Sequence, residues 1–417
     1  MATKKITELT NVTSVQDSDL LIVETFRGTK SVNKNHIINK VIDSCEHGLV
    51  DESLSANQGK LLNDKIEELY NLLRFALPSG LYGSDGTVTS WDTLVSDGTL
   101  RILNEALSVN GNQESKLNGT LVISNESGIT KLDLSAFSGC NLLTSVVIPN
   151  NITEIGYAAF EDCTSLKSVY IPNSVTTIGD SVFLNCDSLE SVIIPDSVTS
   201  MGAYVFQNCA LLKSVKLSNN INKITNYMFN NCTSLESITV PSNVTVVGSM
   251  SFFGCTSLTS VILPNGLTEI DQYAFKGCSS LKFVDIPNSV TIIGSGAFSD
   301  CSSLKYVNIS NSVTSIGTYA FSDCTSLEYI VIPNSVTVIE SSVFMDCTAL
   351  ELVIIPDSVA SIELNAFYRC SAIESINVPS SVTTIDEQAF YNVQNVNYTG
   401  TATGSPWGAK SINGVAV

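Results

Sequence analysis

Apolar and polar positions recur along most of this chain with a period of 23 residues. Cysteine marks the period from Cys140 to Cys370, and phenylalanine marks it from Phe137 to Phe390. Nine of the eleven prolines share a third column from Pro149 to Pro379, in which Ser218 and Ser310 are the exceptions. A fixed repeat of this length indicates a solenoid, because a single unit cannot bury its apolar edge without stacking against the next.

The first half of each unit has the pattern of a strand. In residues 160–183, Val169 and Ile171 alternate about Tyr170, which predicts a short strand with one face turned inward. Proline has no backbone donor, so Pro172 is expected to end this strand. The repeated strands are therefore predicted to form a parallel sheet along the solenoid.

The second half of the unit has a different spacing. Val175, Ile178, Val182 and Cys186 follow at steps of three and four, which predicts one inward stripe of helical or 3₁₀ turns. The residue before each cysteine is Asp, Asn or Gly in ten of eleven repeats, with Arg369 as the exception. These residue types tolerate left-handed backbone best, so a tight turn is expected there.

The repeated pattern LxxVxIPxxVxxIGxxAFxxC, from about residue 120 to 393, resembles the bacterial 23-residue leucine-rich repeat family called BspA-like. The resemblance implies an α/β repeat fold, a right-handed solenoid with a parallel sheet on its concave side. It also implies a protein that binds other proteins or cells, since most members are bacterial surface or secreted proteins. The motif contains no catalytic residues.

Residues 3–77 carry a second resemblance. KITELTNVTSVQDSDLLIVETFRGTKSV is similar to the head of many phage tail and fibre proteins, and DESLSANQGKLLNDKIEEL is similar to a short helix of phage fibres. Leu62, Ile66, Leu69 and Leu73 are spaced 4, 3 and 4 apart, which predicts a coiled-coil seam. The resemblance implies a homotrimer, and an ordinary dimerising helix is the alternative.

These patterns divide the chain into five predicted regions. They are a particle-attachment region (1–50), a coiled-coil helix with its linker (51–80), an N-terminal cap (81–136), the repeats (137–393) and a C-terminal cap (394–417). Residues 77–86 are rich in Gly and Ser, which favours a linker between helix and solenoid.

Charge and composition exclude several classes of function. Lys and Arg total 21 against 40 Asp and Glu, a net charge of −19, which argues against nucleic acid or an anionic membrane as partner. Two histidines leave little room for histidine-based catalysis. The longest apolar run near the N-terminus, residues 20–23, is too short for a signal peptide or a membrane span. We therefore expect synthesis in a host cytoplasm and no membrane insertion.

The cysteine column allows two interpretations. It could be a ladder of metal ligands or disulfides, but zinc sites need clustered pairs with partner ligands, which this spacing lacks. The other interpretation is a stack of buried thiols that act as small apolar fillers. The sequence favours the second, so no metal and no cofactor are expected.

The outward positions of the predicted sheet contain the candidate binding site. One column is serine in six successive repeats and then changes to Phe283, Tyr306, Tyr329 and Leu352, with Asp285 and Asn308 two residues farther along their strands. Contiguous exposed aromatic residues often mark binding sites. A ladder of cross-strand pairs that stabilises the sheet is the alternative.

Together these patterns predict a non-enzymatic phage fibre subunit on the virion surface. Residues 1–50 would attach it to another virion structural protein, and the solenoid would bind a glycan or protein receptor on the host cell. The alternative is a bacterial or particle-surface adhesin that binds host protein or mucus glycan. A polysaccharide-degrading fibre is disfavoured because no paired carboxylate motif stands out.

Overall fold

A computed structural model describes residues 79–83, 87–96, 99–103, 106–125 and 128–417. The predicted attachment region 1–50 and the predicted seam of Leu62, Ile66, Leu69 and Leu73 lie outside the described residues. The described part is a β-solenoid in which each repeat forms one coil. Every coil has three sides: a first strand, a second strand, and a run of turns that leads to the next coil.

The first strands of successive repeats lie side by side and form the first stack. Within the repeats, from residue 143 to residue 354, the paired strands are parallel with a register of 23 residues, as in the pair Ser191↔Ser214. The strands of this stack are β5 Gly119–Val122, β7 Leu143–Val147, β9 Ser168–Tyr170, β11 Ser191–Ile193, β13 Ser214–Lys216, β15 Ser237–Thr239, β17 Ser260–Ile262, β19 Phe283–Asp285, β21 Tyr306–Asn308, β23 Tyr329–Val331, β25 Leu352–Ile354, β27 Ile376–Asn377 and β29 Val396–Asn397. The predicted parallel sheet is confirmed.

Each repeat also contributes a two-residue second strand, and these strands form the second stack. They are β6 Lys131–Leu132, β8 Glu154–Ile155, β10 Thr177–Ile178, β12 Ser200–Met201, β14 Lys223–Ile224, β16 Val246–Val247, β18 Glu269–Ile270, β20 Ile292–Ile293, β22 Ser315–Ile316, β24 Val338–Ile339, β26 Ser361–Ile362 and β28 Thr384–Ile385. The prediction of helical turns at Val175 and Ile178 is therefore wrong, and the described fold is mostly β rather than α/β. Backbone groups here bond to the neighbouring coil, as in Gly179 N–H to Ile155 O at 2.9 Å.

The third side of the coil is a run of tight turns with two left-handed positions in most repeats. The predicted position before each cysteine is confirmed, and even Arg369 has φ 59°. A second column lies four residues earlier and includes Tyr204 (φ 61°) and Met250 (φ 53°). Two reversals so close together leave no room for a helix, because a left-handed residue breaks right-handed helical geometry.

The core is a set of stacked columns that run the length of the solenoid. The phenylalanines from Phe137 to Phe390 stack on one another, with centroids 5.0 Å apart at the closest pair, Phe252 and Phe275. Their rings are nearly parallel, at 2° in that pair. Offset stacking of this kind adds about 0.5–1.5 kcal/mol per pair to the gain from burial.

The cysteine column is buried, as predicted. All eleven cysteines from Cys140 to Cys370 are free and buried thiols. From Cys163 onward, each thiol donates a hydrogen bond to the carbonyl oxygen of the phenylalanine 26 residues earlier, as in Cys163 to Phe137 at 3.2 Å. The thiols therefore connect neighbouring coils as well as filling space.

Antiparallel strands cover the N-terminal end of the solenoid. Strand β1 (Gly80–Tyr82) pairs with both β2 (Val88–Ser90) and β5, and Leu81 and Tyr82 are buried. The prediction that residues 77–86 form a linker is therefore wrong at Gly80–Tyr82, because two apolar side chains complete the sheet. The remaining elements here are helix α1 (Trp91–Ser96), β3 (Leu100–Leu103), β4 (Ala106–Val109) and a 3₁₀ turn at Glu114–Lys116.

A hairpin covers the C-terminal end. Strand β30 (Ser411–Ile412) pairs with β29, and β31 (Val415–Ala416) pairs with β30 in the antiparallel direction. Trp407 is buried beside this hairpin, packs edge-on against Tyr398 and donates its indole N–H to Thr403 O. Within the part of the chain that the structure describes, no helix is long and apolar enough to span a membrane.

Candidate functional site

Four large apolar side chains lie exposed on consecutive coils of the first stack. Phe283, Tyr306, Tyr329 and Leu352, here named the apolar row, are 46%, 39%, 45% and 53% exposed. Strands β19, β21, β23 and β25 hold them in one four-stranded sheet, in which each residue pairs with the next. The structure thus brings together the four apolar residues that the sequence predicted as a site.

Strand alternation places these side chains on the surface. The next residue in each of the four strands, namely Val284, Val307, Ile330 and Val353, is buried in the core. Successive side chains of a strand point to opposite faces, so burial of one member forces the other outward. The buried column thereby fixes the direction in which the side chains of the apolar row point.

The aromatic members of the row contact one another. The ring centroids of Phe283 and Tyr306 are 6.0 Å apart with a 58° tilt, and those of Tyr306 and Tyr329 are 6.0 Å apart with a 29° tilt. Cross-strand aromatic pairs of this kind stabilise a sheet by about 0.2–1 kcal/mol each. The row therefore stabilises the sheet, and its exposed ring faces remain open to a ligand.

A second outward row lies two residues farther along the same strands. Asn308 donates its side-chain N–H to Asp285 Oδ1 at 2.7 Å, so these predicted site residues are together and hydrogen-bonded to each other. Ile262, Val331 and Ile354 occupy the same column and are 62%, 48% and 49% exposed. These three aliphatic residues were not among the predicted site residues, although their column was recognisable from the two-residue spacing.

A charged row borders the apolar row on its N-terminal side. Its exposed members are Lys282, Lys305, Glu328, Glu351 and Glu374, each directly before the outward residue of its strand. Lys305 Nζ lies 3.2 Å from Glu328 Oε1. The border is therefore basic at one end and acidic at the other, a second feature that the sequence prediction missed.

The same outward column differs in the preceding coils. It contains serine at positions 145, 168, 191, 214, 237 and 260, and Ser168 Oγ donates a hydrogen bond to Ser145 Oγ at 3.1 Å. Ser375 follows the row at its other end. The apolar row is thus bounded by short polar side chains on both sides.

Other exposed or partly exposed aromatic residues lie on the turn side. Tyr204 and Tyr227 stack with centroids 4.8 Å apart, and Tyr368 and Tyr391 stack at 4.7 Å. Arg369 lies over the Tyr368 ring, 5.1 Å from its centroid. These are pairs rather than a continuous row, and they offer a matched comparison for the apolar row.

The buried thiols do not provide nucleophiles. Burial raises the pKa of Cys140 to about 12, with a smaller contribution from Glu114, and burial likewise raises the pKa of every other thiol in the column. A thiol needs to ionise to attack a substrate or bind a metal. Among the described residues, no group of three or more His, Cys, Asp and Glu side chains could hold a metal ion.

Comparison with solved structures supports this fold. A leucine-rich repeat protein of Bacteroides ovatus is 25% identical, covers 75% of this chain and 88% of its own, and superposes with a TM-score of 0.60. A leucine rich cell surface protein of Faecalibacterium prausnitzii is 26% identical over 76% of this chain and 93% of its own, with a TM-score of 0.45. No curated protein matches the sequence.

The sequence pattern identifies the family. The profile described as BspA type leucine rich repeat region, with 6 copies, matches residues 130–259, 223–351 and 268–397. These matches together cover well over half of the chain and all of the apolar row. Proteins built from such repeats act in binding rather than in catalysis. The chain belongs to the BspA type leucine-rich repeat family.

Proposed function

We propose that this chain is the receptor-binding subunit of a phage fibre. In this proposal the solenoid binds a protein or glycan on the host cell surface through the apolar row. Residues 1–50 attach the subunit to the virion, and the helix containing Leu62, Ile66, Leu69 and Leu73 assembles it as a homotrimer. The subunit performs no chemistry of its own.

The observation that carries the binding role is the exposure of the apolar row. Four large apolar side chains on consecutive coils are 39% to 53% exposed, and Ile262, Val331 and Ile354 extend the apolar area. Contiguous apolar surface of this kind on a soluble protein marks an interaction site more often than chance exposure. The surrounding serines make the row a bounded patch.

The physical chemistry of the row suits recognition. Burying a side chain the size of Phe or Leu contributes about 1.5–3 kcal/mol relative to leaving it in water. The strands hold these side chains in place before binding, so little conformational entropy is lost when a partner docks. Aromatic residues at the centre of an interface commonly carry most of its binding energy.

The particle assignment rests on the sequence of residues 3–77. Two segments there resemble phage tail and fibre proteins. A bacterial or particle-surface adhesin that binds host protein or mucus glycan is the second candidate, and the BspA type family match favours it. Both candidates use the same face of the solenoid.

Paired substitutions test the binding role. Tyr306→Ala combined with Tyr329→Ala should reduce binding to host cells at least tenfold, while the far-UV circular dichroism and melting temperature change little. The control is Tyr204→Ala with Tyr227→Ala, which removes a stacked and partly exposed tyrosine pair from the turn side. Equal binding by both variants and the parent would contradict the proposal.

Antibody labelling tests the particle assignment. An antibody against the solenoid, viewed on purified particles by negative-stain electron microscopy, should mark the ends of fibres. Labelling of the bacterial surface and not of particles would favour the second candidate. Neighbouring genes for phage structural proteins would favour the first.

A further inference from the structure

The four members of the charged row that border the apolar row have an order of charge that becomes its own opposite when reversed; Glu374, the fifth member, lies beyond the apolar row beside Ser375. Lys282 and Lys305 border the first two residues of the apolar row, and Glu328 and Glu351 border the last two. Read in one direction the charges are plus, plus, minus, minus. Read in the other direction they are the opposite at every position, and this is the relation that a two-fold axis requires of a self-complementary surface.

The apolar row obeys the same symmetry. A two-fold axis parallel to the strands, passing between the coils of Tyr306 and Tyr329, would turn a second copy to face the first with its coils in reverse order. Tyr306 would then meet Tyr329 of the second copy, and Phe283 would meet Leu352. Along the border, Lys282 would face Glu351 of the second copy, and Lys305 would face Glu328.

We propose that two copies of this chain pair face to face through the apolar row, with their solenoids running in opposite directions. The row is flanked by serines, so its longer side chains are the first part of the face to touch another surface. Pairing removes the exposed faces of Phe283, Tyr306, Tyr329 and Leu352 from water. The charged border selects the antiparallel arrangement, because only a two-fold axis parallel to the strands brings the two borders together; an axis along the solenoid places them at opposite edges of the face.

The polar side chains of the face permit this arrangement. Asp285 keeps its hydrogen bond from Asn308 and lies at the rim, opposite Ile354 of the second copy. The Lys305–Glu328 ion pair within one copy is half exposed at both ends, with side-chain exposures of 53% and 50%. Its members can therefore each accept a second partner of opposite charge across the axis.

The patch is small, which sets the strength expected. Four coils at about 4.8 Å per strand span about 15 Å, so the buried area is below the 1,200–2,000 Å² typical of a stable complex. The dissociation constant is therefore expected in the micromolar to millimolar range. Tethering several copies on one particle would raise their effective concentration and favour pairing.

Pairing goes beyond the proposed function and does not depend on it. It concerns copies of the chain in the absence of any receptor, and it shields the apolar row until a receptor competes for it. The charge substitutions that test pairing leave Phe283, Tyr306, Tyr329 and Leu352 in place. Receptor binding and pairing can therefore fail separately.

Charge reversal in the full chain gives the test. One variant combines Lys282→Glu with Lys305→Glu, and the other combines Glu328→Lys with Glu351→Lys. For the parent chain, sedimentation velocity across a wide concentration range should show that the mass of the assembly doubles as the protein concentration rises. This result is expected whatever the number of subunits in the assembly at low concentration. Each variant alone should need at least tenfold more protein to double, because all facing charges become alike.

Mixing the two variants separates pairing from other effects. Each facing position in a mixed pair again has opposite charges, so an equimolar mixture should double at the concentration of the parent. A chain with all four reversals should also double like the parent, and melting temperatures should report intact folding. The proposal is overturned if the parent shows no doubling, or if either variant alone doubles as readily as the parent.

Discussion

The Sγ atom of Cys255 donates a hydrogen bond to the carbonyl oxygen of Phe229, which lies 3.1 Å away on the preceding coil. The same oxygen accepts the backbone N–H of Cys232 at 3.0 Å. One carbonyl thereby receives a donor from its own coil and a donor from the next. Cysteine is thus a coil-to-coil hydrogen-bond donor in this core, in addition to being a small apolar residue.

This role distinguishes two substitutions at the same position. Cys255→Ser keeps a donor that can reach Phe229 O, so we expect a loss of about 1 kcal/mol in the free energy of unfolding. Cys255→Ala removes the donor and leaves a small cavity, so we expect a loss of about 2 kcal/mol. Urea unfolding measures both values. If the alanine variant is clearly the more stable, the thiol serves as a filler alone.

The buried thiols also make stability depend on pH. Burial raises the pKa of Cys140 from 9.0 to about 12. Because the pKa of the thiol is higher in the folded state, burial of the neutral thiol contributes its full stability well below pH 9. That contribution is lost as the pH rises from the unfolded-state pKa toward the folded-state pKa. Between these two pKa values each thiol lowers the free energy of unfolding by up to about 1.4 kcal/mol per pH unit, and the eleven thiols act together.

We therefore expect the urea midpoint to be nearly flat from pH 6.5 to 7.5, to begin to fall by pH 8.5, and to fall steeply between pH 9 and 10. Acid-induced change is not part of this effect, because the thiols are neutral in both states below pH 8. A midpoint that stays constant up to pH 10 would show that the thiols can ionise within the fold.

Ser251 offers a substitution expected to stabilise the chain. Its side chain is fully buried and its hydroxyl has no hydrogen-bond partner. Alanine occupies the same column in other repeats, for example at Ala274 and Ala297. Ser251→Ala should raise the free energy of unfolding by about 1 kcal/mol, because an unsatisfied buried hydroxyl is removed without a change in packing.

Ser322→Ala is the control for that prediction. Ser322 is also buried, but its hydroxyl donates to Asp323 Oδ2 at 2.7 Å. Its replacement should leave stability unchanged or lower it. A gain at position 322 equal to that at 251 would attribute the effect to removal of any serine and not to the missing partner.

Assembly is predicted to depend on the segment before the described residues. Light scattering on the full chain should show a homotrimer, and Ile66→Asp with Leu69→Asp should reduce it to a monomer because charges enter the seam. Residues 79–417 should be monomeric at low concentration. A monomeric full chain would contradict the predicted seam.

Strand β1 determines where a shortened chain has to begin. Leu81 and Tyr82 are buried in β1, which pairs with β2 and β5. A chain that starts at residue 83 should therefore melt at a lower temperature than one that starts at residue 79. Equal melting temperatures would show that β1 contributes little to the cap.

Some of the fold could be predicted because one residue type repeats in one environment. The cysteine and phenylalanine columns gave the coil length, and the alternation at Val169 and Ile171 gave the first strand. The left-handed turn before each cysteine followed from its Asp, Asn and Gly. The left-handed position four residues earlier did not, because Tyr204 and Met250 are residue types that seldom adopt this conformation.

The second strand was misassigned for a definite reason. Val175, Ile178 and Val182 have helical spacing, and a helix and a coil of a solenoid both need one inward stripe. In a helix the backbone hydrogen bonds stay within the segment, whereas in a solenoid they join neighbouring coils, as the Gly179 N–H does with Ile155 O on the preceding coil. That choice depends on the neighbouring repeat and cannot be derived from the spacing within one unit.

The candidate site was predicted in part. The exposure of Phe283, Tyr306, Tyr329 and Leu352 followed from alternation with a buried column. The aliphatic flank at Val331 and Ile354 and the charged row were missed because their columns vary in residue type along the solenoid. Their meaning appears when consecutive coils are compared as neighbours.

The 23-residue register of the parallel strands has a consequence for how such a protein can change. Within the repeats, each strand of the first stack lies beside the strands 23 residues before and after it, as Ser191 lies beside Ser214. Gain or loss of a whole unit preserves every other contact and shifts the two ends by one step. A lineage can thus lengthen or shorten the recognition surface by unequal recombination, whereas loss of a single residue would misalign the core columns.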